Sequence, residues 1–139
     1  MLILDTDHFS EFVRQSEIGK RLKQRLETAD DDTAISVITL DEQARGWLAA
    51  IRQAKTRQQT ISTYAKLQQL FEVAGQWNVL PWNDDATSIF EAHLGQKAKL
   101  GTMDLRIAAI AISNGGRLLS RNLKDFNRVE GLDVEDWLA

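Results

Sequence analysis

At 139 residues, with 43% hydrophobic and 27% charged side chains, the chain has one domain's length and an ordinary globular composition, which excludes disorder over most of it. The absence of cysteine excludes disulfides, thiol nucleophiles, iron–sulfur clusters and Cys-based zinc sites. A net charge of −3 gives no global basic field, although basic residues gather between Arg14 and Arg25, between Arg45 and Arg57, and between Arg117 and Arg128.

The longest uninterrupted apolar run, Ile107 to Ile112, is far short of the ~20 residues that cross a bilayer. The opening Met1-Leu2-Ile3-Leu4-Asp5 has no basic region and does not read as a signal peptide, so the cytoplasm is the expected location. With no internal repeat and no linker, residues 1–139 are expected to form one unit.

Leu2-Ile3-Leu4 reads as a short buried strand, with Thr6 or Asp7 capping a helix that carries Phe9, Phe12 and Val13. Ser16 caps the next helix, whose Ile18, Leu22 and Leu26 form a narrow stripe that serves either as core or as the wall of a groove for a partner helix. Asp30-Asp31-Asp32 is a loop, and Ala34 to Val37 a second buried strand. Thr39 and Glu42 have capping-box spacing and open a helix running to about Lys55. A longer helix from about Gln58 to Gly75 places Tyr64, Leu67, Leu70, Phe71 and Ala74 on one face.

Val79-Leu80 is a third strand, stopped by Pro81. Asn83 caps a helix with Ile89, Phe90 and Leu94 inward. Thr102 caps another, from Met103 to Asn114, which Gly115-Gly116 ends. Leu118-Leu119-Ser120 is a fourth strand followed by a polar turn, and Leu132-Asp133-Val134 a fifth at the sheet edge. Trp47, Trp77, Trp82 and Trp137 read as packing residues. Short, unalternating strands separated by helices indicate an α/β sandwich around a mostly parallel sheet.

Ligands of open parallel sheets bind beyond the carboxyl ends of the strands. Asp5, Glu42, Asp104 and the pair Asn122 and Asp125 all fall at that edge. Carboxylates with no matching base repel one another, and a hard cation such as Mg²⁺ or Mn²⁺, bound by oxygen alone, resolves the conflict. Ordinary roles remain open for three of them: Glu42 as a capping-box residue, Asp104 as a favourable charge at a helix start, and Asp125 as a turn aspartate. Asp5, fused to the end of a buried strand, is the hardest to explain without a partner or a metal. His8 and His93 have no partner acid at a recognisable spacing.

These residues are where a family resemblance appears. Leu-Ile-Leu-Asp5-Thr6-Asp7, Ile35-Ser36-Val37-Ile38-Thr39 leading to Glu42, and Asp104-Leu105-Arg106-Ile107-Ala108-Ala109 resemble the successive motifs of PIN-domain proteins, more narrowly of VapC-type toxin ribonucleases. Leu118-Leu119-Ser120-Arg121-Asn122-Leu123-Lys124-Asp125-Phe126 and Glu135-Asp136-Trp137 are similar to the family's ending. The resemblance implies a three-layer α/β/α sandwich and a Mg²⁺- or Mn²⁺-dependent endoribonuclease, usually a homodimer, silenced by a VapB-like antitoxin. It makes Asp5, Glu42 and Asp104 the metal-binding acids. Asn122 stands where many relatives have Asp, and Asp125 is the candidate to supply that charge. Thr6 and Ser120 would order the acids, and Arg14, Lys20, Arg21 and Lys23 would steer the RNA backbone.

Two alternatives stand beside this reading. Asp5-Thr6-Asp7 after a strand also suits a haloacid-dehalogenase-type phosphatase, with Lys66 and Asp84-Asp85 completing it, although Phe9 stands where that class wants Thr or Val. The other is a PIN fold without activity that serves as an RNA- or protein-binding module.

Overall fold

The computed structural model describes residues 1–95 and 100–139. A five-stranded sheet runs in the order β3-β2-β1-β4-β5, formed by β1 (Leu2–Leu4), β2 (Thr33–Ser36), β3 (Asn78–Leu80), β4 (Arg117–Leu119) and β5 (Asp133–Glu135). Every pairing in it is parallel, so the carboxyl ends of all these strands share one edge. The helices between them are α1 (Thr6–Arg14), α2 (Glu17–Ala29), α3 (Val37–Gln53), α4 (Arg57–Ala74), α5 (Asp84–His93), α6 (Thr102–Ser113) and α7 (Leu123–Phe126).

Successive strand residues point to opposite faces, and the two faces have separate cores. Ile3, Ala34 and Leu118 pack with Leu80, Ala86, Ile107, Ile110 and Phe126. Leu2, Leu4, Ile35 and Leu119 pack with Phe9, Leu22, Leu26 and Leu70. Burial on both sides is why these strands read as continuous apolar runs, and it produces the three-layer sandwich. Leu22 and Leu26 belong to the second core and Ile18 packs against it, so that stripe is core and not a groove wall.

Ser16 and Asn83 cap α2 and α5 as expected, whereas α1, α3 and α6 start differently from the sequence reading. The chain enters α1 and α3 with no intervening loop, so the residue that ends the strand is also the cap. Asp5 caps α1, accepting from Thr6 N, in place of Thr6 or Asp7. Ser36 caps α3, accepting from Thr39 N, so Val37 is helical and half-exposed, and the Thr39–Glu42 capping box does not form. Gly101, without a side-chain bond, precedes α6 in place of a Thr102 cap. The polar turn after β4 contains the single helical turn α7. Tyr64, Phe71 and Leu94, expected inward, are exposed, while Leu70 and Ala74 are buried as expected. Each tryptophan is half-buried in packing: Trp77 stands edge-on to Phe9 and Phe12, Trp82 to Phe90, and Trp137 lies under Arg25.

β1 is central, and its setting is tight. A Cβ at Gly116 would come within 2.6 Å of Ile3 Cδ1, so the turn from α6 into β4 can lie against β1 only without a side chain. Gly19 is tighter still. A Cβ there would sit 2.0 Å from the carbonyl oxygen of Glu11, so the first turn of α2 presses on the backbone of α1. Gly19→Ala is therefore expected to separate these helices and destabilise the fold by about 1–3 kcal/mol. Urea unfolding measures this, and an unchanged midpoint would contradict the packing described.

Candidate active site

Leu4 pairs with both Ile35 and Leu119, so Asp5 stands in the next row of the sheet, between Ser36 and Ser120. All three side chains are buried. Asp5 N donates to Leu119 O at 2.9 Å, continuing the ladder by one bond beyond the strand. Its carboxylate accepts from Thr6 N at 2.8 Å and from Ser120 Oγ at 2.7 Å. Burial, the neighbouring Asp7 charge and the more distant Asp104 raise its pKa from 3.8 to about 6, against the opposing effect of those two hydrogen bonds.

Glu42 comes from α3 and is held by α1: Thr6 Oγ1 donates to Glu42 Oε1 at 3.0 Å and lies 3.4 Å from Thr39 Oγ1. Burial raises the Glu42 pKa, with Asp104 and Asp41 adding to it. Asp104 stands in the first turn of α6, which returns to the amino edge through Gly115-Gly116 and so begins at the carboxyl edge. Its pKa is raised by burial, by Asp125 and by Asp7. Asp104 links these acids electrostatically: its charge raises the pKa of Asp5 and of Glu42, and the charge of Asp125 raises its own. Among the described residues none of them forms an ion pair with a basic side chain.

Sequence reasoning missed Asp7 and His8. His8 is fully buried, and Nε2 accepts from Trp137 N at 3.1 Å, so its ring proton sits on Nδ1 and is donated to Asp7 Oδ1 at 2.6 Å. Asp7 Oδ2 accepts from Arg121 N at 3.0 Å. Burial pushes the Asp7 pKa up, but the His8 ring and the Arg121 amide outweigh it and hold the group below its ordinary value. Asp7 is thereby kept ionised beside Asp5. The same bonds tie the segment carrying Ser120, Asn122 and Asp125 to α1. The clue was the adjacency of Asp7 and His8, a partner acid at the closest spacing possible.

Asn122 precedes α7 and donates its backbone N–H to Ser120 Oγ at 3.0 Å, while its half-buried side chain makes no cap. Lys20 and Lys23 border hollows with Phe12, Gln15 and Gly19 or with Leu26, Asp30 and Trp77, neither of which contains a site acid. Arg21 is exposed on α2. Arg14 borders a different hollow, with Gln43 and Trp47, one residue along α3 from Glu42.

The donor set is oxygen only, negatively charged and mutually repelling, which suits a hard divalent cation. Among the described residues no three His, Asp or Glu side chains are already gathered closely enough to enclose one. Asp5, Glu42 and Asp104 are the side chains that would hold it.

Comparison with known proteins gives a consistent picture. A family profile described as PIN domain matches residues 2–132. Ribonuclease VapC1 of Rickettsia felis (strain ATCC VR-1525 / URRWXCal2) is 51% identical over 39 residues, 28% of this chain and 29% of that protein, so the match spans under a third of this curated relative's length. DNA-bound VapBC from Salmonella typhimurium superposes with a TM-score of 0.76 at 25% identity, over 98% of this chain and 97% of that chain. A toxin–antitoxin complex from Klebsiella pneumoniae gives a TM-score of 0.69 at 25% identity, over 99% and 98%. VapBC2 from Rickettsia felis, bound to a DNA fragment from its promoter, gives 0.74 at 23% identity over 98% of each chain, a likeness of fold alone.

The Asp5 environment has a measurable consequence for stability. The unfolded chain ionises this carboxyl near 3.8 and the folded chain only near 6, so between these values the folded state holds the extra proton and stability falls as pH rises. At 1.36 kcal/mol per pH unit, the full cost above pH 6 is on the order of 3 kcal/mol. In chelator, Asp5→Asn is expected to match the wild type near pH 4 and to exceed it by about 1–3 kcal/mol at pH 8. Urea unfolding across that range checks this, and a difference independent of pH would contradict it.

Proposed function

This chain belongs to the PIN-domain family, and on that footing we propose that it is a metal-dependent endoribonuclease of the VapC toxin type. The observation that carries the reading is the set of acids from β1, α3, α6 and α7 at one sheet edge with no basic partner among the described residues. A divalent cation held there by Asp5, Glu42 and Asp104, Mg²⁺ or Mn²⁺, would activate a water and offset charge on the scissile phosphate.

The chain's own residues supply the rest. Ser120 Oγ and Thr6 N fix the Asp5 carboxylate, and Thr6 Oγ1 fixes Glu42, so two of the three acids are oriented before any ligand arrives. Asp125 adds charge beside Asp104, and Asn122 brings a neutral amide to the same segment. The positive ends of α1, α3 and α6 face this edge and favour a phosphate oxygen. Attack by water would leave 3′-hydroxyl and 5′-phosphate ends, with the 2′-hydroxyl serving recognition only.

The VapBC and toxin–antitoxin complexes among the structural neighbours support a VapB-like antitoxin as partner; a homodimer as the working unit is what the family resemblance implies. No helix among the described residues is long and apolar enough to cross a membrane. The phosphatase alternative loses its constellation, because Lys66 lines a hollow with Ser10, Val13 and Trp47 and not with Asp5.

Cleavage of total RNA tests the proposal. Wild type is expected to produce 5′-phosphate ends with Mg²⁺ or Mn²⁺ and none in EDTA, and Asp5→Asn is expected to fall to the EDTA background. Equal activity in the variant would remove the site assignment. RNA binding without cleavage, with Mn²⁺ uptake indifferent to Asp5, would instead mark a binding module.

A further inference from the structure

A groove leads away from the acids between α1, α3 and α4. Its first part, a hollow of about 290 Å³, is lined by Thr6, Glu42, Gln43, Gly46 and Trp47, so it opens directly on the candidate site. The second part, about 240 Å³, shares Gln43 and Trp47 and continues to Ser10, Arg14, Lys66 and Leu70. Gln43 Nε2 donates to Ser10 Oγ at 2.5 Å, so this pair ties α3 to α1 where the two hollows meet. A Cβ at Gly46 would meet nothing within 4 Å, so the helix backbone beside Trp47 faces open space.

The chemistry changes in order along this path. It begins at Glu42, passes the half-buried indole of Trp47 with the Gln43 amide beside it, and ends between two exposed cations. Arg14 reaches only Glu11 of its own helix, at 3.5 Å, and Lys66 enters no ion pair among the described residues. The second hollow has no acid in its lining. Glu42 and Trp47 are five residues apart on α3, about 7.5 Å along the axis, and both line the first hollow.

We propose that this groove is a nucleotide subsite of the candidate active site. The base of a nucleotide flanking the scissile phosphate packs against Trp47, with its edge toward Gln43, and the next phosphate of the strand lies between Arg14 and Lys66. Aromatic stacking followed by a cationic clamp is the combination that holds single-stranded nucleic acid without demanding one sequence. An indole and an open backbone, with the exposed Arg14 and Lys66 at the far end, fit an RNA strand better than an apolar peptide, which would offer neither cation a phosphate. The inference rests on reading the acid edge as a site that receives RNA.

Binding can be read separately from cleavage. The probe is a fluorescently labelled single-stranded octaribonucleotide, titrated in EDTA against Asp5→Asn protein, with anisotropy as the signal. Adding Arg14→Ala with Lys66→Ala, two exposed positions whose loss leaves the core intact, is expected to weaken binding about 5- to 20-fold and to flatten its dependence on salt. Removing equal charge elsewhere, with Arg52→Ala and Arg128→Ala, is expected to change it less than 2-fold. Trp47→Leu should weaken binding about 5-fold, and ultraviolet cross-linking should place the RNA on the peptide that contains Trp47. Equal losses from both charge pairs, or none from either, would overturn the subsite even if wild type cleaves RNA. So would concentration-dependent dimerisation abolished by Trp47→Leu with RNA binding unchanged, which would assign the groove to a second copy of the chain. Absence of cleavage by wild type, with the groove pattern intact, would overturn the nuclease reading and leave the subsite standing.

Discussion

A carboxylate buried at the end of the central strand sets the terms for everything around it. Asp5 continues the β1 ladder, caps α1 and lies between two buried serines, so it cannot swing out to water without breaking the sheet edge. Two hydrogen bonds offset part of the cost of burying its charge, yet its pKa remains near 6. Other acids are then brought toward it, which worsens the repulsion. A fold selected for stability alone would place an apolar side chain here. The arrangement makes sense if a cation is what the edge is built to receive.

The supporting bonds divide into two groups with different duties. The hydroxyls of Ser120 and Thr6 orient Asp5 and Glu42 as neutral donors that add no charge of their own; that of Thr39 stands 3.4 Å behind Thr6, and that of Ser36 3.5 Å from Thr39. Asp7 and His8 do something else. They join α1 to the Arg121 amide on one side and to the Trp137 amide on the other, so the segment holding Asn122 and Asp125 and the segment around Trp137 are both tied to α1. Trp137 is itself fixed, with Nε1 donating to Glu135 Oε2 and its ring under Arg25. Bonds from several elements converge on this edge, and acids held in this way keep their mutual repulsion until a ligand relieves it.

The sequence made the sheet and the principal acids legible for a physical reason. A strand buried on both faces must be continuously apolar, so an acid directly after Leu2-Ile3-Leu4 stands out, as does an acid heading the apolar run of α6. The helix starts were less legible. Where strand passes straight into helix, Asp5 and Ser36 act as the last strand residue and the cap together, and the nearby Thr39–Glu42 spacing imitates a cap that does not form. That imitation also gave Glu42 an ordinary role it does not have. The His8–Trp137 bond joins positions 129 residues apart, a closure no local pattern encodes. Tyr64 and Phe71 keep helical spacing with Leu70 and Ala74 but lie outside the part of α4 that the sheet covers, so periodicity overstated that buried face.

The most direct measurement is a carbon-13 titration of the Asp5 carboxyl by nuclear magnetic resonance, with and without Mg²⁺. Without the ion the midpoint is expected at about 6. With saturating Mg²⁺ it should fall below the ordinary aspartate value of about 4, because the cation favours the ionised form. A midpoint that starts near 4, or one that Mg²⁺ leaves unmoved, would contradict the claim that this edge holds its charge for a metal.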